Sequence, residues 1–453
     1  MQIVIVGLGK VGRALTEQLT AEGHDIVAID CDAGRTEDIM NVYDVRGVAG
    51  NGACYDVQQE AFAAGADLLI ATTSSDEINM LACLVAKKIG TRHTIARIRD
   101  PEYERQLRIM RGELGLSMII NPEKATAREI ARVLRFPSAI KLERFCRGRF
   151  ELIEYRLNPG NPLIGMALSD LYRNIHVKIL ICAVARGRDI VIPGGSFTLQ
   201  EGDKIYLTAT PRDLGDFFRR LGIFKARANN VMVVGASSMA YYLIKELRDI
   251  RMHITVIDSS AERCRLMSER LPGVLVIHGD AADSELLNEE GLADMDAFVA
   301  LTGLDETNII LSMYAAQGDR CKVVAKVNRP SFAELATANG MLDSVVSTAT
   351  VTSESILQYV RAMQNSLGSN IKALHRVVGG RVEALEFIVG SKAPYVNIPL
   401  KDLPIRQEVL LAGIVRQNGQ AIIPSGSDTL QPGDDVVVIT TGARINDLRD
   451  ILQ

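Results

Sequence analysis

At 453 residues the chain is longer than one hydrophobic core usually organises, about 250–300 residues, so several domains are expected. Hydrophobic residues make up 47% and charged residues 23%, too apolar for disorder. The net charge of -4 is small for this length and points to neither a nucleic-acid nor a polyanion-binding surface.

The first apolar run, Gln2 to Val6, reads as a strand with no basic segment or cleavage site before it, which predicts a cytosolic protein without a signal peptide. Gly7-Leu8-Gly9-Lys10-Val11-Gly12 follows and opens a helix, and the next strand, Asp25 to Ile29, closes at Asp30. In this context the three glycines serve different ends. Gly7 permits a tight turn, Gly9 lets backbone approach a pyrophosphate, and Gly12 lets the helix pack closely. The helix N-terminus presents free N–H groups to the phosphates. Asp30 can accept hydrogen bonds from ribose hydroxyls, which favours NAD(H) or an adenosine nucleotide such as ATP or ADP over NADP.

Strands at Leu68 to Thr72 and Thr94 to Ile98, with amphipathic helical patterns between them, imply βαβ units and a parallel sheet. Residues at the strand ends should line the same crevice: Thr72 and Thr73, then Asp76 and Asn79 at the next helix start, and Arg97. Asp76 either faces a ligand or caps its helix. Arg97 either pairs with a phosphate or joins a salt bridge. Lys10 and Arg13 add positive charge beside the loop.

Ala125 to Leu134 is a helical pattern carrying Arg128, Arg132 and Arg135 on one face. From Phe150 the character changes to a small β-rich lobe, with turns at Asn158-Pro159-Gly160 and Pro193-Gly194-Gly195 and a strand at Lys204 to Ala209. His176 lies in an apolar, strand-like run and reads as a core or surface histidine.

The pattern then starts again. "IVIVGLGKVGRALTEQL" returns as "VMVVGASSMAYYLIKEL", and Gly7 and Asp30 recur as Gly235 and Asp258, each 228 residues on. Asp76-Glu77 recurs as Asp305-Glu306, and "IARIRDP" as "VAKVNRP", both 229 residues on. Such constant spacing marks a tandem duplication. The expected domains are a Rossmann-like lobe over 1–135, a crossover and β-rich lobe over 136–225, a second Rossmann-like lobe over 229–350, and a second crossover and β lobe over 351–453. A helix is expected from Ser353 to Leu374, with Ile356, Tyr359, Met363 and Leu367 as its apolar stripe.

The second glycine loop, Gly235-Ala236-Ser237-Ser238-Met239-Ala240, departs from the first. A side chain at Ser237 narrows the approach of a pyrophosphate, so this site is expected to be weaker, altered or empty, although Asp258, Asp280, Thr302, Asp305 and Lys326 remain.

The seven cysteines form no CxxC pair and mostly sit in apolar runs, as buried free thiols in a reducing compartment would. The six histidines are scattered, so no metal site is expected. The glycine loop also fits an NAD-dependent oxidoreductase, but each β lobe is only about 75 residues and carries no histidine–carboxylate or nucleophile motif, so no catalytic residues are assigned.

The order of glycine loop, Asp30, "GNGACYDVQQEAFAAGADLLIATTSSDEINMLAC", "IARIRDP" and "LQEGDKIYL" closely resembles the TrkA family of Trk-system potassium uptake regulators. In that family's terms each half resembles one RCK (KTN) module. The resemblance implies a peripheral protein on the cytoplasmic membrane face that binds NAD(H) or ATP and controls a separate potassium-transporting membrane subunit, or another cation transporter. It also implies a ring of eight modules from four chains. The family's ligand positions fall on Gly7 through Val11, Asp30, Thr72, Thr73 and Arg97, and in the second half on Gly235 through Met239 and Asp258.

Overall fold

The computed structural model describes every residue except 136–140, 188, 223–227, 249–251, 318–320, 339–341, 343, 366–370, 378–380, 391–392, 442–444 and 446. The expected stripe residue Leu367, and most of the segment joining the two halves, lie outside the described residues.

In chain order the first lobe runs β1 (Gln2–Val6), α1 (Lys10–Ala21), β2 (Asp25–Asp30), α2 (Ala33–Val42), β3 (Arg46–Ala49), α3 (Tyr55–Glu60), β4 (Leu68–Ala71), α4 (Asp76–Ile89), β5 (His93–Arg97), α5 (Pro101–Met110), β6 (Met118–Ile120) and α6 (Pro122–Arg135). Its strands pair in parallel in the order β3-β2-β1-β4-β5-β6. The apolar runs explain this arrangement: Ile3 to Ile5 and Leu68 to Ala71 are fully buried, as strands covered by helices on both faces must be. Strand order reverses between β1 and β4, which opens a crevice beyond their carboxyl ends.

The lobe that follows contains β7 (Lys141–Phe145), β8 (Phe150–Arg156), α7 (Leu168–Ile175), β9 (Leu180–Arg186), β10 (Asp189–Val191), β11 (Lys204–Ala209) and α8 (Pro211–Arg220). Its antiparallel sheet has the order β10-β9-β11-β8-β7. One face packs on α7 and α8 through Leu171, Ile175, Leu214 and Phe217. The sheet includes β7, which precedes Phe150 and pairs antiparallel with β8. His176 is not in a strand: it is exposed, follows α7 in the left-handed conformation (φ 54°) and sets its ring edge-on to Tyr172.

The second half repeats both lobes. Its Rossmann-like part comprises β12 (Asn230–Val234), α9 (Ser238–Arg248), β13 (His253–Asp258), α10 (Ala261–Arg270), β14 (Leu275–His278), α11 (Ser284–Glu289), β15 (Ala297–Ala300), α12 (Asp305–Ala315), β16 (Lys322–Lys326), α13 (Pro330–Ala338) and β17 (Ser344–Val346). After α14 (Thr348–Asn365) come β18 (Ile371–Val377), β19 (Val382–Ile388), β20 (Val409–Val415), β21 (Ala421–Ile422) and β22 (Asp435–Thr440). The sheet orders are β14-β13-β12-β15-β16-β17 and β18-β19-β22-β20-β21. The helix expected to reach Leu374 ends at Asn365, because Ile371 to Val377 pairs antiparallel with β19.

Each half is thus mixed α/β, a parallel Rossmann-like lobe with a crossover helix and a smaller antiparallel lobe. The chain divides into two units that cut across the duplication: Met1–Ala131 with Asn229–Leu357, and Arg132–Ala228 with Gln358–Gln453. Within the first unit the Rossmann-like lobes touch where Asn121 Nδ2 donates to the Tyr242 hydroxyl (3.0 Å) and Arg128 Nε to Glu246 (2.9 Å). Within the second, Phe145, Phe150, Leu152 and Tyr206 share an apolar cluster with Val382, Ala384, Ala412 and Val437.

Candidate nucleotide-binding site

The crevice begins at the sharp turn after β1. Gly7 takes φ +94° and its N–H donates to the Ile29 carbonyl at 2.8 Å. A Cβ there would lie 2.8 Å from the Thr73 backbone nitrogen, so neither the conformation nor the space admits a side chain. At Gly12 a Cβ would fall 1.9 Å from the Gly7 carbonyl oxygen: helix and turn are in direct contact. Gly9 differs, because a Cβ there meets nothing within 4 Å of the protein. It stands at the start of α1, whose first turn has no side-chain cap, so its N–H groups are presented to the crevice.

Asp30 ends β2 with its side chain only 10% exposed. Its Oδ2 accepts the Leu8 N–H (2.7 Å) and its Oδ1 the Asp32 N–H (2.9 Å), which fixes the carboxylate between the glycine turn and the next helix. Each oxygen keeps acceptor capacity for a further donor. Arg35 hangs nearby, 3.8 Å from Asp30 and 3.4 Å from Asp32.

The remaining wall comes from β3, β4 and β5. Gly50 donates to the Asp30 carbonyl (2.8 Å), laying the Gly50-Asn51-Gly52 loop across the strand ends. Fully buried Gln58 holds that loop by donating to the carbonyls of Gly52 (2.7 Å) and Ala82 (2.9 Å). The Thr72 hydroxyl donates to the Gly7 carbonyl (3.0 Å), tying the two central turns together. Asn79, wholly buried, accepts from the Thr73 N–H and hydroxyl (both 2.8 Å) and donates to the Arg97 carbonyl (2.8 Å).

Arg97 faces the crevice, and its Nε is buried with no acceptor within hydrogen-bond reach. Burial and then neighbouring Arg99 lower its pKa, while Glu123 and Asp76 oppose that shift. A half-buried guanidinium whose Nε lacks an acceptor suits a phosphate. Glu123, near Arg97, is pushed up by burial above the ordinary carboxylate range.

The crevice encloses about 560 Å³. Of the residues expected at the site, Gly7, Gly9, Asp30, Thr72, Thr73 and Arg97 line it. Leu8, Val11 and Gly12 are buried behind the turn and Lys10 is exposed beside it. Asp76 and Asn79 stand behind the wall: Asp76 Oδ2 accepts the N–H groups of Arg99 (2.8 Å) and Asp100 (2.9 Å), and α4 is capped by Ser75 instead. The lining also includes Cys31, Asp32, Arg35, Asn51, Gly52, Ser74, Ser75 and Ile78, which strand-end reasoning missed. For the loop, the Gly50-Asn51-Gly52 triplet was the signal in the sequence.

The cysteines divide, with Cys83, Cys146, Cys182 and Cys264 buried, Cys31 and Cys54 exposed, and Cys321 half-buried. Burial pushes the Cys83 thiol up to about 12.

The second crevice keeps the outline. Gly235 takes φ +105°, and Asp258 accepts the N–H groups of Ala236 and Ser260 (both 2.7 Å). Asn308 braces Thr302, and Asp305 accepts the N–H groups of Asn328 and Arg329. Its lining includes Gly235, Ser237, Asp258, Asp280 and Thr302, but not Ala236, Ser238, Met239, Asp305 or Lys326.

The TrkA-N domain model matches residues 3–122 and 231–348, and the TrkA-C domain model matches 152–222 and 384–453. The chain belongs to the TrkA family. A family member from Archaeoglobus fulgidus, a Trk system potassium uptake protein TrkA homolog, is 32% identical over 454 residues and covers 100% of both chains. Two solved structures share the fold. The GsuK channel bound to NAD has 18% sequence identity and a TM-score of 0.61, covering 97% of this chain and 77% of that one. The GsuK RCK domain has 17% identity and a TM-score of 0.61, covering 97% and 92%. Among the described residues no helix of this TrkA-family chain is long and apolar enough to cross a membrane, and no His, Cys, Asp or Glu cluster could hold a metal ion.

Proposed function

We propose that this chain is a non-enzymatic, nucleotide-sensing regulatory subunit of a potassium-transporting membrane protein. It works at the cytoplasmic membrane face and is bound there through that partner. The carrying observation is the first crevice, where a fixed carboxylate, an uncapped helix N-terminus and a guanidinium whose Nε lacks an acceptor converge.

The ligand is NAD(H) or ATP/ADP. Asp30 takes the ribose hydroxyls, the N–H groups at Gly9 to Val11 and Arg97 take the phosphates, and Thr72 and Thr73 hold the wall against them. These groups bind and orient without transforming a substrate. The duplicated modules and the family support assembly into a ring of four chains. Nucleotide regulates only if it binds one state of that ring more tightly than another.

The test is nucleotide-dependent potassium flux through the co-reconstituted membrane partner. Asp30→Ala should remove the response to NADH and ATP while the protein stays folded by circular dichroism. A response that survives this substitution refutes the reading, as does turnover of a metabolite by the purified chain.

A further inference from the structure

Four differences separate the two crevices. At the ribose seat, Arg263 donates through Nη2 (2.8 Å) and Nε (3.1 Å) to Oδ1 of Asp258, whose side chain is 4% exposed. The equivalent Arg35 stays 3.8 Å from Asp30 because Asp32 draws it away, and the position of Asp32 is Ser260 in the second half. An exposed arginine is a weak competitor alone, so exclusion needs the other three differences.

At the pyrophosphate, Ser237 places a side chain where Gly9 leaves open space, and its Oγ lies 3.4 Å from the Ala240 N–H. The next cation fails to arrive. Lys326 stands where Arg97 stands, but its ammonium donates to the Thr302 carbonyl (2.6 Å) and does not line the crevice. In the loop, Ala281 replaces Gly52, where a Cβ would lie 2.2 Å from Val6 in the first half. The resulting cavity is about 250 Å³ against about 560 Å³, below the range of roughly 300–1,000 Å³ typical of small-molecule sites.

We propose that the second crevice takes no pyrophosphate-bearing adenine nucleotide, so that each chain binds one, in its first half. The second Rossmann-like lobe acts instead as a docking partner. Tyr242 holds Asn121, which also donates to the Arg99 carbonyl two residues beyond Arg97. The matching pair, Ala14 and Ser347, cannot make the same side-chain bond, because alanine has no polar group to meet the serine.

This inference rests on the nucleotide-sensing reading, and calorimetry of the full chain with NADH, repeated with ATP, separates the two. Wild type should show about one site per chain. Asp30→Ala should weaken it more than tenfold, while Asp258→Asn leaves stoichiometry and affinity unchanged. Should Asp258→Asn fail to fold, Ser237→Val makes the same comparison. Two sites per chain, or a single site lost with the second-half variants, overturns the inference and leaves nucleotide sensing intact. Absence of any site in wild type for either ligand overturns both.

Discussion

The two halves of this chain hold the same backbone frame around different chemistry. Gly7 and Gly235 make the same left-handed turn, and Asp30 and Asp258 each accept the same two backbone N–H groups. What differs is whatever stands free in the frame: an open Gly9 against Ser237, a reaching Arg97 against a folded-back Lys326. A dinucleotide fingerprint therefore maintains a fold as well as a site. The acids that end β2 and β13 brace the turn in both halves, so the two crevices differ in the groups around them.

Placing second-half residues in the first half breaks this comparison stepwise. Gly12→Ala, which imports Ala240, should have the largest effect. Its methyl would meet the Gly7 carbonyl, and overpacking of this kind costs about 2–3 kcal/mol, visible as a lower urea midpoint. An unchanged midpoint would show that the turn yields freely. Gln58→Leu, which imports Leu287, strips a donor from two buried carbonyls. A loss of about 1–2 kcal/mol in unfolding free energy is expected, together with weaker NADH binding; equal binding in calorimetry would mean that the loop needs no brace.

Arg97→Lys exchanges a planar fork for a point charge and should raise the NADH dissociation constant about tenfold. Equal affinity would remove Arg97 from the phosphate site. The smallest effect belongs to Glu123→Ala, the residue of the second half being Ala349. Burial raises the Glu123 pKa, so the folded chain holds that proton more tightly than the unfolded chain. Its contribution to stability is therefore greatest below the ordinary glutamate range and declines as pH rises through the raised value. The substitution should flatten that part of the stability–pH curve, and an unaltered slope would argue against it.

The duplication, the parallel sheets and the outline of the first crevice were legible because backbone sterics write them directly. Only glycine tolerates the turn at position 7, and apolar runs such as Leu68 to Ala71 have no solvated face. Asp76 and Asn79 were harder. A short polar side chain at a helix start can cap, face a ligand or reach another segment, and these two reach the β5–α5 turn and the Arg97 carbonyl. Such contacts span 18 to 24 residues and follow from strand order rather than local pattern. The early end of α14 has a similar cause, since the helix expected as far as Leu374 yields from Ile371 onward to strand pairing with β19.

The apolar cluster shared by the antiparallel lobes bears on how such a gene can change. The ring of Phe150 lies 2.7 Å from where a Cβ on Gly413 would sit, so one lobe fills a hollow left by a missing side chain in the other. Expressed alone, either half would show bare Phe145 and Phe150, or Val382 and Ala412, to water. Splitting the reading frame at the joint would then yield two insoluble fragments when made apart and one soluble pair when made together.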